Sequence, residues 1–298
     1  MASLRDIRRR IRSIKNTAQI TKAMEMVAAS RMRRAQQRVV ASRPYADAMR
    51  SLITELAAGA GAGEALHPLL VQRPIDTVGI VMLTSDRGLA GALNTNVIRR
   101  GTQLILNVED ERKHDVEVIT VGRKGQDFMA RRGRKLLGTF TQLGDRPSYM
   151  DVVGIARVVM DSYMKEVMDE CWLVYPKFVS TLSQQPTLQQ LLPIKADGQQ
   201  GEGEQPRTRP TDYIYEPDPV RILSQLLPRY VEVSIYQAVL ETVASEHSAR
   251  MIAMRNATEN ANELVQGLTL TYNKARQAQI TTEVIEIASA AEALSGGR

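Results

Sequence analysis

The sequence predicts an α/β protein: a long antiparallel coiled coil of the N- and C-terminal helices plus a central α/β domain. Three observations carry that reading. Residues 3–57 and 229–294 hold one proline and one glycine between them, with apolar residues at heptad spacing. The stretch between them alternates apolar strand runs with helical periodicity. The chain has 31 Ala but only three Phe, one Trp and nine Tyr in 298 residues, which favours long helices over one ring-filled core.

The first helix is expected over residues 3–57. Ser3 is its candidate cap, with Asp6 three residues on. Its seam runs Leu4, Ile7, Ile11, Ile14 and Ala18, then continues through Thr21, Glu25, Ala28, Met32, Ala35 and Val39. After Ala18 the stripe is interrupted by polar residues.

A linker with Gly59, Gly61, Gly63, Pro68 and Pro74 follows, and then an apolar strand over Val78–Leu83. The turn Ser85–Asn94 leads into a helix near Asn94–Val108. A second strand is expected at Val116–Val121, with helices over Lys124–Arg132 and about Tyr149–Met168. A third strand falls at Cys171–Phe178 and a fourth at Thr187–Pro193. This alternation implies a mainly parallel, Rossmann-like sheet. Residues 195–212 are polar and rich in Gly, Pro and Gln, so a loop is expected there.

The last helix should start at Asp218-Pro219, with proline in the first helical position. Pro228 should kink or restart it. Its stripe is read as Ala253, Ala257, Leu264, Leu268, Thr271, Ala275 and Ala278, and the tail continues Ile280, Val284, Ile287, Ala291 and Leu294. The expected segments are therefore 1–58 (first coiled-coil helix), 75–212 (α/β domain) and 213–298 (second coiled-coil helix). Helices of 55 and 65 residues measure about 80 and 100 Å. A compact globule of this length is about 50 Å across. Continuous helices would protrude from it and pair, and the longer C-terminal one would run past its partner. Its tip, 278–298, lacks Lys and Arg until Arg298 and needs either an apolar sleeve from another protein or a fold-back onto the chain's own domain.

Charge is uneven. The first 50 residues hold 13 basic and 3 acidic residues, and the remainder is net acidic. The dense part is Arg8, Arg9, Arg10 and Arg12. It suits an acidic protein, a membrane surface or nucleic acid, or simply a solvated face. No apolar run reaches membrane-spanning length. The start lacks the apolar core of a secretory signal and reads as mature structure. One cysteine, Cys171, excludes an intramolecular disulfide and a cysteine-cluster metal site. His67, His114 and His247 show no metal-binding spacing, so no metal is expected.

The Ser85–Asn94 turn carries Gly88 and Gly91 but neither phosphate-loop spacing, so a tight turn packing helix on sheet is preferred over a nucleotide site. Asp86 and Arg87 are expected to pair at the C-terminal edge of the sheet. There is no catalytic constellation, and no cofactor is expected.

Four stretches resemble the F-type ATP synthase gamma subunit family of bacterial type. They are Arg12–Ser30 (RSIKNTAQITKAMEMVAAS), the turn Ser85–Asn94 (SDRGLAGALN), Ala249–Ala278, and Ile280–Ile287 (ITTEVIEI). Ala90 stands where many members carry Cys, and Ala290-Ala291 where the signature usually has Gly-Ala. The inserted cysteine pair of plant chloroplast members is missing. The resemblance implies a non-catalytic central rotor shaft that couples proton-driven c-ring rotation to cycling of the catalytic beta subunits. It implies as partners three alpha and three beta subunits, an epsilon subunit and the c-ring, with the chain peripheral at the cytoplasmic face of the cell membrane. By motif position, Met24, Arg250, Gln277, Thr281 and Glu283, with Ile287 and Leu294 of the tip, are the implied contacts with the alpha/beta ring. Asp212, Tyr213, Tyr215 and Glu216 are implied at the foot facing the c-ring.

The main alternative is a basic coiled-coil nucleic-acid-binding protein. It calls for aromatics interleaved with the basic residues and a net positive charge beyond the first fifty, whereas the basic segment holds only Tyr45 and the remainder is net acidic. A nucleotide-dependent enzyme would need the phosphate loop that is absent.

Overall fold

The computed structural model describes residues 3–59, 67–194 and 219–295, with side chains over 3–53, 67–194 and 221–291. The chain divides into two compact units. One comprises residues 1–27 with 251–298, and the other residues 28–250. The terminal helices, α1 (Leu4–Gly59) and α5 (Pro219–Ser295), contribute to both.

α1 has 56 residues and α5 has 77, so they are about 84 and 115 Å long at about 1.5 Å per residue. Ser3 caps α1 as expected, its Oγ accepting from the Arg5 N–H at 3.2 Å. Both helices continue through their internal prolines, Pro44 and Pro228. Of the kink or restart expected at Pro228, the restart is therefore corrected. Leu223, Leu227 and Val231 are all buried in one core, and this packing holds the helix across the lost hydrogen bond.

The larger unit is built around a five-stranded sheet, counted among the described residues, in the order β3-β2-β1-β4-β5. The strands are β1 (Thr77–Leu83), β2 (Asp115–Val121), β3 (Leu136–Phe140), β4 (Glu170–Phe178) and β5 (Gln184–Leu192). β1, β2, β3 and β4 run parallel, and β5 returns antiparallel to β4. The sequence expectation omitted β3. Four of its five residues are part-buried, Thr139 is exposed, and it contains Gly138, so neither alternation nor a long apolar run marks it.

β1 is covered on both faces, which explains its unbroken apolar run. Val81 and Leu83 enter a core with Val152, Ile155 and Val159 of α4 (Tyr149–Met164) and with the buried face of α5. Val78, Ile80 and Met82 point the other way. They pack with Val97 and Leu104 of α2 (Leu93–Leu106) and with Met129 of α3 (Arg123–Arg131). A π-helical turn, Asn107–Glu111, ends α2 one turn before β2. α4 stops four residues earlier than expected, in a turn where Glu166 takes a positive φ of 59°.

Candidate functional site

In the smaller unit the first turns of α1 run antiparallel to the last part of α5. Arg8 meets Tyr272, Thr21 meets Thr258 and Glu25 meets Arg255, so residue numbers rise on one helix as they fall on the other. Every seam position expected on α1, from Leu4 to Val39, is buried or half-buried. The α5 stripe needs a correction of phase. Leu264 is 58% exposed and Thr271 is exposed, whereas Met254, Thr258, Ala261, Val265, Leu268, Tyr272 and Ala275 form the buried or half-buried line. Those positions keep an unbroken 4-3 spacing, which the expected stripe did not.

Two polar layers interrupt the seam. Thr21 Oγ1 and Thr258 Oγ1 lie 2.7 Å apart. Glu25, 7% exposed, accepts from Lys22 Nζ at 3.0 Å and from Arg255 Nε at 3.2 Å. The hydrogen bond from Lys22, then that from Arg255, hold the Glu25 carboxyl below its usual range against the opposing effect of burial. Near the start of α1, the Arg8 guanidinium lies 5.4 Å from the centre of the Tyr272 ring and donates to its hydroxyl at 2.5 Å.

Beyond Ala275 the seam has no partner among the described residues. Every described side chain from Arg276 to Ala291 is exposed. Ile280 is 45% exposed, Val284 and Ile285 58%, and Ile287 70%. Backbone hydrogen bonds are satisfied within the helix, and Thr281 Oγ1 donates back to the Gln277 carbonyl at 2.9 Å. Gln279 Nε2 donates to Glu283 at 2.9 Å on the opposite face of the helix. Gln277, Thr281, Glu283 and Ile287 therefore share one exposed stretch of helix. Met24 is half-buried, one residue before the Glu25 layer. The Leu294 side chain and Asp212, Tyr213, Tyr215 and Glu216 lie outside the described residues.

Arg250 belongs to the larger unit and has an internal role. It is 8% exposed, and its Nη2 donates to Glu246 at 2.6 Å and to the Gly88 carbonyl at 3.0 Å. Burial raises the Glu246 carboxyl, with Arg250 opposing. The Ser85–Asn94 turn is thereby tied to α5. Within the turn, Asn94 Oδ1 accepts from the Ser85 N–H at 3.0 Å, closing it across nine residues. Leu89 and Gly91 take positive φ values of 64° and 56°. The expected Asp86–Arg87 pair is replaced. The Asp86 carboxylate instead accepts from the Arg123 N–H at the start of α3 and from the Gln142 N–H, each at 3.0 Å. A free N–H at a helix start is a closer and better-aligned partner than a flexible neighbouring side chain.

At the C-terminal edge of the sheet, where open α/β folds hold ligands, the space is filled by α5. Val239, Thr242, Val243 and Glu246 leave about 30 Å³ against Thr84 and Gly122. That is room for about one water, not a nucleotide. Among the described residues no group of three or more His, Cys, Asp or Glu could hold a metal ion. Nor is any helix among them long and apolar enough to cross a membrane.

The polar layers were missed as contacts because they depend on register. Glu25 was visible only as an interruption of the seam, and nothing in the sequence announces Arg255 as its partner. Glu246 gave no signal at all.

Residues 3–294 match the family model described as ATP synthase. The chain is 52% identical to the ATP synthase gamma chain of Roseiflexus sp. (strain RS-1) over 296 residues, covering 99% of each. It is 53% identical to that of Roseiflexus castenholzii (strain DSM 13941 / HLO8), again over 99% of each. Among solved structures it resembles a chain of the Euglena gracilis mitochondrial ATP synthase (OSCP/F1/c-ring, rotational state 3). The TM-score is 0.70 at 22% identity, covering 99% of this chain and 95% of that one, a likeness of fold.

Proposed function

The chain belongs to the ATP synthase gamma-chain family, the non-catalytic central rotor stalk of F1, and from that premise we propose that the α1–α5 helix pair is the shaft and residues 276–295 its bearing tip. The observation that carries this reading is the single exposed helix past Ala275, with Ile280, Val284, Ile285 and Ile287 facing water. Fully burying one such side chain contributes about 1.5–3 kcal/mol. Four of them on an unaccompanied helix are a strong drive toward an apolar sleeve.

The sleeve is supplied by a ring of three alpha and three beta subunits. Inside it, Gln277, Thr281 and Glu283 present polar groups at the tip, which charged loops of the ring engage and release as the shaft turns. Met24 lies lower, beside the Glu25 layer. Arg250 acts indirectly by fixing the Ser85–Asn94 turn to α5. Its exposed neighbours on that turn, Arg87 and Leu89, are the surface that meets the ring. Residues 212–216 form the foot on the c-ring, an epsilon subunit sits beside the α/β domain, and proton flow through the membrane sector drives rotation. The chain is peripheral, at the cytoplasmic face of the cell membrane.

Torque transmission follows from the seam. A single helix twists under load. Two helices held by an apolar line and two polar layers resist twisting together, because rotating one breaks contacts along both. ATP chemistry belongs to the beta subunits.

Reconstitution tests the reading. The full chain mixed with alpha and beta subunits should give an α3β3γ assembly with raised ATP hydrolysis. A chain truncated after Gln277 should assemble and activate less well. If the full chain neither joins the ring nor alters its hydrolysis, the shaft assignment fails.

A further inference from the structure

A cavity of about 160 Å³ on the larger unit is lined by Arg31, Arg34 and Arg38 of α1 and by Arg146 of the segment leading into α4. The three α1 arginines are spaced i, i+3, i+7 and so share one face. The floor is apolar, with Leu240 and Val243 of α5 at 3% and 9% exposed. Asp145 also lines the cavity, and its carboxylate pairs with Arg31. Arg34, Arg38 and Arg146 have no ion pair or hydrogen bond to a described residue. One side of the cavity therefore carries three uncompensated guanidinium charges. Arg34 and Arg38, at i and i+4, repel each other and cost helix stability. A bound anion would offset that repulsion.

We propose that this cavity binds a small multivalent phosphate anion: inorganic pyrophosphate, or the phosphate tail of a nucleotide. Guanidinium forks match phosphate oxygens bidentately, which favours this class over a single carboxylate. Three free charges balance a diphosphate. Cavities that enclose a drug-sized molecule measure roughly 300–1,000 Å³, so only the phosphate part of a ligand is enclosed here. Arg34, Arg38 and Arg146 are its ligands, and Arg31 is held in place by Asp145. The bound anion ties α1 to the segment before α4.

Calorimetric titration of the full-length chain with pyrophosphate at about 0.15 M salt, where distant charges are screened, should give saturable one-site binding and a raised thermal midpoint. Arg38→Gln and Arg146→Gln should each weaken it about tenfold, the loss of one charge-assisted contact. Arg100→Gln, on the exposed face of α2, removes the same charge and should leave affinity unchanged; far-UV circular dichroism confirms that each variant is folded. ATP binding as tightly as pyrophosphate assigns the site to a nucleotide tail, and weaker ATP binding assigns it to the free anion. Non-saturating binding, or an equal loss in Arg100→Gln, reduces the effect to general charge attraction and overturns the proposal. So does loss of pyrophosphate binding on assembly with alpha and beta subunits, which would make the cavity a protein contact.

Discussion

His247 is 1% exposed, and neither ring nitrogen has a hydrogen-bond partner. The nearest acid, Asp145, stands 3.7 Å from Nε2, too far for a hydrogen bond. Burial pushes the imidazole from its ordinary 6.5 down to about 4, with Asp145 opposing and Arg250, Arg31 and Arg87 adding to the shift. A base with a lowered folded pKa is protonated first in the unfolded chain. Its contribution is therefore intact above pH 6.5 and is lost as pH falls toward 4. Urea melts at pH 7.5 and pH 5 should show a larger drop for the native chain than for His247→Gln, and equal drops would refute this account. Gly122 is constrained by geometry. Its φ is 95°, and an added Cβ would lie 2.0 Å from the Thr84 carbonyl oxygen. Gly122→Ala should cost about 2–4 kcal/mol in a denaturant melt. Neither constraint could be read from a lone His or Gly in the sequence, since each comes from atoms distant along the chain.

The helix pair is where sequence and structure agree most closely, and where they part most instructively. The α1 seam was legible position by position, because burial on a long helix repeats every 3.5 residues and α1 keeps that period. On α5 the small residues Ala253, Ala257 and Ala278 blurred the phase, and only pairing with α1 selected the line through Ala261, Val265 and Tyr272. The Glu25 and Thr21 layers are expected to specify register more than stability. Glu25→Leu should alter the melting free energy of the chain by no more than about 1–2 kcal/mol while permitting slippage. Paired cysteines at Ala18 and Ala261, both buried on the seam, should cross-link efficiently in the native background. A heptad-shifted pair at Ala18 and Leu268 should gain cross-linking only with Glu25→Leu. If the shifted pair never forms, the layer has no part in register. Cys171 is fully buried and its thiol is pushed up by burial, so it should not compete. At the sheet, β1 was evident as an apolar run, while β3 became a strand only because β2 offers it an edge.

For the whole molecule, the decisive feature is an apolar surface left outside the fold. Replacing Ile280, Val284 and Ile287 with Ser should leave the melting of the free chain within about 0.5 kcal/mol per site, because these side chains are already exposed. Assembly with the alpha/beta ring should weaken markedly, as read by co-purification and ATP hydrolysis. A free chain that lost stability instead would mean the tip packs on the chain itself. The sequence alone determined the two long helices, their antiparallel pairing, the apolar tip, the strand-helix alternation and the family, because these depend on period, length and local motif. Only the tertiary structure decided the phase of the α5 seam, the partners of Glu25, Asp86 and Arg250, the filling of the sheet's ligand-binding edge by α5, and the arginine-lined cavity. Each of those depends on which residues, far apart in the chain, come within a few ångströms of one another, and no local periodicity encodes that.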